Sequence, residues 1–560
     1  MLQSETDMRL NEMVTIAPRY TRSINLERDI EDASAVAGYV LTPIGVDFIQ
    51  RVERVLTGAP EPRSWSITGP YGSGKSAFIL FLVNILSGTR GAGATESIKI
   101  LKAAAPELAS RLTDKRRLDA IRPAGFCPVL VSGSAGSLAP RLIESAIRDI
   151  TRYSRKTHRF PAIQKLQKLQ KHTNRGGAID LAVLVTCLRE ISQELRKAED
   201  CQGILIVVDE LGKFLEFAAH HPDENDRFLL QLLAEATVGA AKPDLLLVTI
   251  LHQAFDQYAS GLRPVLRNEW AKVQGRFQDI AFQDPPEEFL PIIASAIVKQ
   301  PSSFVNAYRK EAAEVAATIF ALGGVPASLT KRQFCDLMSE CIPLHPVTAL
   351  VLARLCRKFG QNQRSLFSFL TSRNASGFAT FCERDVTLGN PTFFSLAELY
   401  DYTADALGSG LNIGESGTRW AEVTAALETR RDLSAREIEA VKAIGLLNVI
   451  GPGGDLKPSR ELLQVMLGAK ETRAICETLE KRSIIVYRKY NSSFALWLGS
   501  DIDFDERLSA AATPTTGSPP TLRCCVASGT YQRNQRCDHK IYWKDLLASR
   551  CSDVTSTSTF

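Results

Sequence analysis

The chain has 560 residues, enough for three or four domains at about 150 residues each, and 45% of them are hydrophobic, which supports sizeable cores. Its net charge of +5 is too mild to name a partner. No run of about 18 uncharged apolar residues is present. The start, Met1 to Glu5, has no basic stretch leading into an apolar core, so the expectation is a cytoplasmic protein with no membrane partner. The 12 cysteines lack paired metal spacing and the 7 histidines form no ligand set. The cysteines read as buried free thiols rather than as a metal centre.

Residues 1–60 read as an N-terminal segment leading into a nucleotide domain. It contains Arg22-Ser23-Ile24-Asn25-Leu26-Glu27-Arg28-Asp29 and then Tyr39-Val40-Leu41-Thr42-Pro43. The second stretch is either a contact for a nucleotide base or an ordinary strand-to-helix turn.

Residues 61–285 alternate strand and helix patterns, which predicts a parallel sheet with crossover helices. Strands are expected near 65–69, 127–132, 203–208, 244–250 and 279–282. The first runs into Gly69-Pro70-Tyr71-Gly72-Ser73-Gly74-Lys75-Ser76, and Ala77 opens a helical pattern. Strand, glycine-rich turn and helix start form the context this spacing requires to cradle phosphates. Glycines let backbone amides turn inward, and the helix N-terminus adds partial positive charge. Gly69, Gly72, Ser73, Gly74, Lys75, Ser76 and Ala77 are therefore the expected nucleotide-binding set. Lys75 is assigned to the β- and γ-phosphates and Ser76 to Mg2+.

The run Gly203-Ile204-Leu205-Ile206-Val207-Val208 reads as a strand buried on both faces. It ends in Asp209 and Glu210, two carboxylates that are costly there unless they have a task. Asp209 is expected to hold Mg2+ with Ser76, and Glu210 to act as general base towards water. Leu245 to Leu251 forms a further strand ending in His252 and Gln253. If it lies beside the Asp209 strand, these two sense the γ-phosphate or orient the water; the alternative is a polar strand end. Residues 151–175 carry Arg152, Arg155, Lys156, Arg159, Lys165, Lys168, Lys171 and Arg175 without an Asp or Glu between them. That run is either a solvated face or a track for a phosphate backbone.

Residues 286–400 read as a helical lid, with Arg364 at a helix start from which it reaches back to the phosphates. Residues 401–508 read as a winged-helix-like domain. A helix through 435–444 leads to Leu446-Leu447-Asn448-Val449-Ile450, a glycine turn, a helix through 472–481, and two strands around a polar turn within 484–497. Lys481, Arg482, Arg488 and Lys489 suit either DNA or protein contacts there. Residues 509–560 read as a disordered or aberrant tail. The fold class is thus α/β: a P-loop NTPase parallel sheet with a helical lid, followed by a winged-helix-like domain.

Over residues 19–508 the chain resembles ATPases of the AAA+ and STAND group of P-loop proteins, nearest to the origin-recognition type. It is similar in particular to large bacterial ATP-binding proteins, several encoded among phage-defence genes. The residues that carry the resemblance are the 22–29 stretch, the phosphate loop, Val208-Asp209-Glu210-Leu211-Gly212-Lys213-Phe214, Leu251-His252-Gln253-Ala254-Phe255, Gly275-Arg276-Phe277, Gln361-Asn362-Gln363-Arg364-Ser365-Leu366-Phe367 and Trp497-Leu498-Gly499-Ser500-Asp501. The long basic insertion before the Asp209 strand departs from the pattern. The resemblance implies ATP and Mg2+ as cofactors, Arg364 as a second sensor, and Arg276 as an arginine finger acting on a neighbouring subunit, unless Arg276 only caps its strand. It further implies a homo-oligomer working on double-stranded DNA or with protein partners. Two functions follow as expectations: an ATP hydrolase acting on DNA or a DNA-bound complex, or a slow-turnover signalling switch. The Asp-Glu pair, the lid and the winged helix argue against a small-molecule kinase.

Overall fold

The computed structural model describes residues 8–497, apart from residues 21, 71, 114–123, 200, 222–225, 239–243, 254, 259–270, 324, 326–327, 360–365, 388–390, 408–413, 431 and 451–455. Its centre is a five-stranded sheet of β1 (Ser64–Thr68), β2 (Phe126–Ser132), β3 (Gly203–Asp209), β4 (Leu245–Leu251) and β5 (Gln278–Ala281). All neighbours are parallel, in the order β2-β3-β4-β1-β5. The five strands expected from the sequence are all present.

Every residue of β3 and β4 is buried, as a parallel strand covered on both faces requires. The two-residue period of a strand sends alternate side chains to opposite layers. Leu205, Val207, Leu246 and Val248 pack with Phe48 of α1 (Pro43–Leu56) and Phe78 and Phe81 of α2 (Lys75–Leu86). Ile204, Ile206, Val208 and Leu247 pack on the other side. That layer contains α3 (Leu138–Tyr153), α4 (Pro161–Thr173), α5 (Leu181–Ala198), α6 (Leu211–His220) and α7 (Asp226–Ala236).

β2 is an edge strand, and side chains cover its open side. Leu130 N donates to Asp149 Oδ2 (2.9 Å), Leu130 O accepts from Arg148 Nη2 (2.8 Å), and Ser132 N donates to Glu27 Oε1 (2.8 Å). The last of these fastens the short helix Leu26–Asp29 to the end of the sheet that faces the phosphate loop.

After β5 the described elements are mainly helices. The expected boundaries at 60 and 400 do not coincide with breaks in packing. Leu10, Met13, Val14 and Tyr20 share one core with residues from Leu290 to Leu496, whereas Leu26 to Leu56 pack on the sheet. Two short antiparallel pairs explain the first part: Val14–Ile16 joins Ile297–Lys299, and Met8–Arg9 joins Asp385–Val386. The last described elements are helices Ala435–Ile450, Arg460–Leu467 and Ala469–Lys481, then the hairpin Ile485–Arg488 with Ser493–Leu496. This is the order expected for a winged-helix-like unit, with two differences. The first helix runs on to Ile450, so Leu446 to Ile450 are its last turns. The helix Arg460–Leu467 was not anticipated, although Ser459 caps it by accepting from Leu462 N. The glycine turn at 451–454 lies outside the described residues, as does the tail at 509–560. Among the described residues no helix is long and apolar enough to cross a membrane.

Candidate functional site

The site forms where β1, β3 and β4 end side by side. Thr68 pairs with Leu251 across β1 and β4, and Val208 with Thr249 across β3 and β4. The loop leaving β1 needs its glycines. Gly72 and Gly74 have φ of 75° and 84°, the left-handed region that a Cβ disfavours. A Cβ on Gly69 would stand 2.5 Å from Phe282 O, just beyond β5. Gly74 sits at the N-cap of α2 and has no side chain to occupy the first-turn amides.

Lys75 is 5% exposed, and its Nζ donates to Gly69 O and Pro70 O, both at 2.6 Å. Desolvation lowers its pKa to about 8, with Asp209 opposing the shift. A polyphosphate beside Nζ would restore the charge. Binding is therefore expected to take up a fraction of a proton about half a unit above pH 8, and almost none about two units below it. Calorimetry in two buffers of different ionisation enthalpy measures this uptake. Equal apparent enthalpies at the higher pH would show that Lys75 does not titrate there.

Ser76 Oγ donates to Asp209 Oδ2 at 3.1 Å, bringing together the hydroxyl of α2 and the carboxylate of β3. Burial raises the Asp209 pKa, against the Ser76 bond and the Glu210 amide; the Glu210 charge pushes it further up. A buried carboxylate beside a hydroxyl, disfavoured as an anion by burial, is suited to a divalent cation. Among the described residues no cluster of three or more His, Cys, Asp or Glu side chains is set to hold a metal without such help.

Glu210 follows in the left-handed conformation (φ 51°, ψ 42°) at the N-cap of α6. This turns its side chain away from the strand direction at a cost of order 1 kcal/mol. Its amide donates to Asp209 Oδ1 (2.8 Å), and its Oε2 accepts from Lys213 Nζ at 2.5 Å. Gly133, just past β2, passes so close that an added Cβ would lie 2.5 Å from Glu210 O and 2.7 Å from Glu210 Cβ. Gly133→Ala is therefore expected to displace Glu210 and lower turnover about tenfold or more while changing ATP affinity only a few-fold. Parallel turnover and binding measurements check this; an equal loss in both would show a general distortion instead.

A cavity of about 540 Å³ opens above these groups. Gly72 to Ala77, Asp209, Glu210 and His252 line its phosphate end. Ile24, Leu26, Val36, Tyr39 and Val40 line an apolar end. Both N-terminal stretches singled out in the sequence thus border it. Tyr39 packs on Phe81 (centroids 4.9 Å apart), and desolvation together with Asp284 pushes its hydroxyl well above the ordinary range, so it stays protonated. Burial, followed by Lys75 and Lys213, lowers His252 to about 4, so it acts as a neutral imidazole.

The remaining expected residues differ in placement. Gln253 is exposed and not among the cavity-lining residues. Arg364 lies outside the described residues. Arg276 does not approach the site of its own chain. Its backbone O accepts from Ser64 Oγ (2.7 Å) at the start of β1, about 13 Å of strand from the phosphate loop. Its guanidinium donates to Glu235 Oε1 (2.8 Å) and Lys272 O (2.7 Å).

Other contributors were not foreseen. Glu27 accepts from Arg141 (3.1 Å) and Arg148 (2.8 Å) as well as from Ser132 N, tying the base-side segment to the strand end beside Glu210. Arg19 donates to Ala37 O (2.8 Å) and Ser295 Oγ (3.3 Å), and Ile292 borders the cavity. Both Ile292 and Ser295 lie on helix α8 (Phe289–Ala296), the first of the region after the sheet. Charge in the Glu27-Arg28-Asp29 stretch was the only local signal for this network.

No family model and no curated protein matches the chain. The solved structures similar to it include two of the ORC2 protein of Aeropyrum pernix. The structure of its ADPNP–ADP complexes is 12% identical, covers 89% of this chain and 97% of its own, and has a TM-score of 0.31. The ADP form is 10% identical, covers 92% and 97%, and has a TM-score of 0.28. Likeness at this level adds nothing to the geometry of the site itself.

Proposed function

We propose that this chain binds ATP with Mg2+ in the cavity over the phosphate loop and hydrolyses it, and that the nucleotide state moves the helical part relative to the sheet to act on DNA or a DNA-bound complex. The observation that carries the reading is the convergence of Lys75, Ser76, Asp209 and Glu210 at one end of one sheet. Lys75 binds the β- and γ-phosphates, and Ser76 and Asp209 are the residues that would hold the magnesium ion. When bound, magnesium neutralises phosphate charge. Glu210 takes the proton of the attacking water, His252 hydrogen-bonds near the terminal phosphate as a neutral ring, and Arg364 contributes from the helical region, as the resemblance implies. The apolar end of the cavity takes the base. Coupling to the helical part is supported by α8, whose Ile292 borders the cavity. Arg276 serves catalysis only in a homo-oligomer, where it reaches a neighbouring chain.

Steady-state ATP hydrolysis by the full chain, with and without duplex DNA and over a range of protein concentrations, tests this reading. Turnover should rise with both DNA and concentration. Turnover indifferent to both removes the oligomer and the DNA from the account.

A second reading, a slow switch acting through protein partners, is favoured by the 2.5 Å ion pair that holds Glu210 on Lys213. If that pair restrains the base, Lys213→Met raises turnover several-fold at unchanged ATP affinity. An exposed ion pair of this kind contributes about 1 kcal/mol or less, which bounds the rise at about fivefold, and turnover within about twofold of the parent would exclude the pair as a control on turnover.

A further inference from the structure

The crossover between β2 and β3 is more positively charged than the chain as a whole. Residues 151–199 hold eleven lysines and arginines against four acids, whereas the whole chain is only +5. The structure sorts nine of these cations into two groups. Arg152 pairs with Glu31 (3.0 Å), Lys156 with Glu199 (3.5 Å) and Lys165 with Glu190 (2.9 Å). The last two pairs, with the Ala162 N to Glu194 contact at 3.4 Å, zip α4 and α5 together antiparallel and use up the acids of the seam.

Arg155, Arg159, Lys168, Lys171, Arg175 and Arg189 are exposed and make no ion pair among the described residues. Lys168 and Lys171 lie on α4 at helical spacing opposite the buried Ala162, Ile163 and Leu166, and Arg175 follows in the turn just past its C-cap, Asn174. α4 has 13 residues, so its outer face is about 20 Å long, matching about six phosphates on one strand of a duplex. Gln164 and Gln167 add exposed amides to this face. Apart from Pro161 its exposed positions on α4 are polar or cationic, and they lack the aromatic or leucine anchors with which an interfacial helix enters a lipid surface.

We propose that the outer face of α4 and α5 docks the phosphate backbone of duplex nucleic acid without reading sequence. This inference rests on the reading that the chain acts on DNA, and it places a contact surface on the sheet domain, apart from the C-terminal hairpin.

Fluorescence anisotropy of a mixed-sequence duplex with the full chain, between about 50 and 200 mM salt, tests it. The triple variant Lys168→Gln, Lys171→Gln, Arg175→Gln should bind at least about tenfold more weakly at the low-salt end. Its slope of log affinity against log salt should be shallower by about three, at roughly 0.9 per lost phosphate contact. Unchanged ATP binding confirms that the variant is folded. A second variant, Lys481→Gln, Arg488→Gln, Lys489→Gln, probes the hairpin. Duplex binding that survives the first variant with the same slope, but falls in the second, overturns the inference and leaves DNA as the target. Absence of duplex binding by the parent chain overturns both. Binding to phosphatidylserine vesicles but not to the duplex, lost in the first variant, overturns the inference in favour of a membrane surface.

Discussion

Replacing Lys75 with alanine is expected to weaken ATP binding by about a hundredfold or more, equivalent to ~3 kcal/mol. The ammonium lies in a nearly closed position, 5% exposed, where a charge-assisted bond to phosphate is little screened. The carbonyls of Gly69 and Pro70 that it now contacts are the backbone of the loop itself, so the side chain is held at the point where the phosphates enter. Lys75→Met, which keeps the stem and removes the charge, should lose nearly as much. Equilibrium titration with ATP checks both variants. Affinity within about threefold of the parent would remove the phosphate loop from the account.

Glu210→Gln is expected to leave ATP affinity within a few-fold and to lower turnover by about 10² to 10⁴. Glutamine retains the shape and the left-handed N-cap position but cannot accept the proton of water. It also gives up the ion pair to Lys213. If that pair were the main role of Glu210, turnover would be kept or raised. A rapid-quench measurement of the first turnover separates loss of chemistry from slow product release, and normal first-turnover hydrolysis would exclude Glu210 as the base.

These two residues were legible in the sequence because their signals are local. The phosphate loop lies within eight consecutive residues, and Asp209 and Glu210 end an unbroken apolar run of the kind a doubly covered strand carries. The five strands followed from the same patterning. The contributors that were missed act over long separations. Glu27 meets Arg141 and Arg148 more than a hundred positions away, and no periodicity announces such a meeting. The pairing of Val14–Ile16 with Ile297–Lys299 involves three-residue strands, too short to show alternation, yet it accompanies the packing of Leu10, Met13, Val14 and Tyr20 into the core of the helical part. The domain boundaries read from the succession of strand and helix patterns did not anticipate that shared packing. Arg276 was legible as a charged residue in a telling context, but only the sheet register reveals that it stands at the far end from its own phosphate loop.

The central claim is that the cavity above Lys75, Ser76 and Asp209 is a site for ATP and magnesium. Calorimetric titration of the full chain with a non-hydrolysable ATP analogue, with and without magnesium, tests it most directly. The account predicts one site per chain, tighter with magnesium than in chelator, and lost in Lys75→Ala. Absence of binding, or binding indifferent to both magnesium and Lys75, would contradict it.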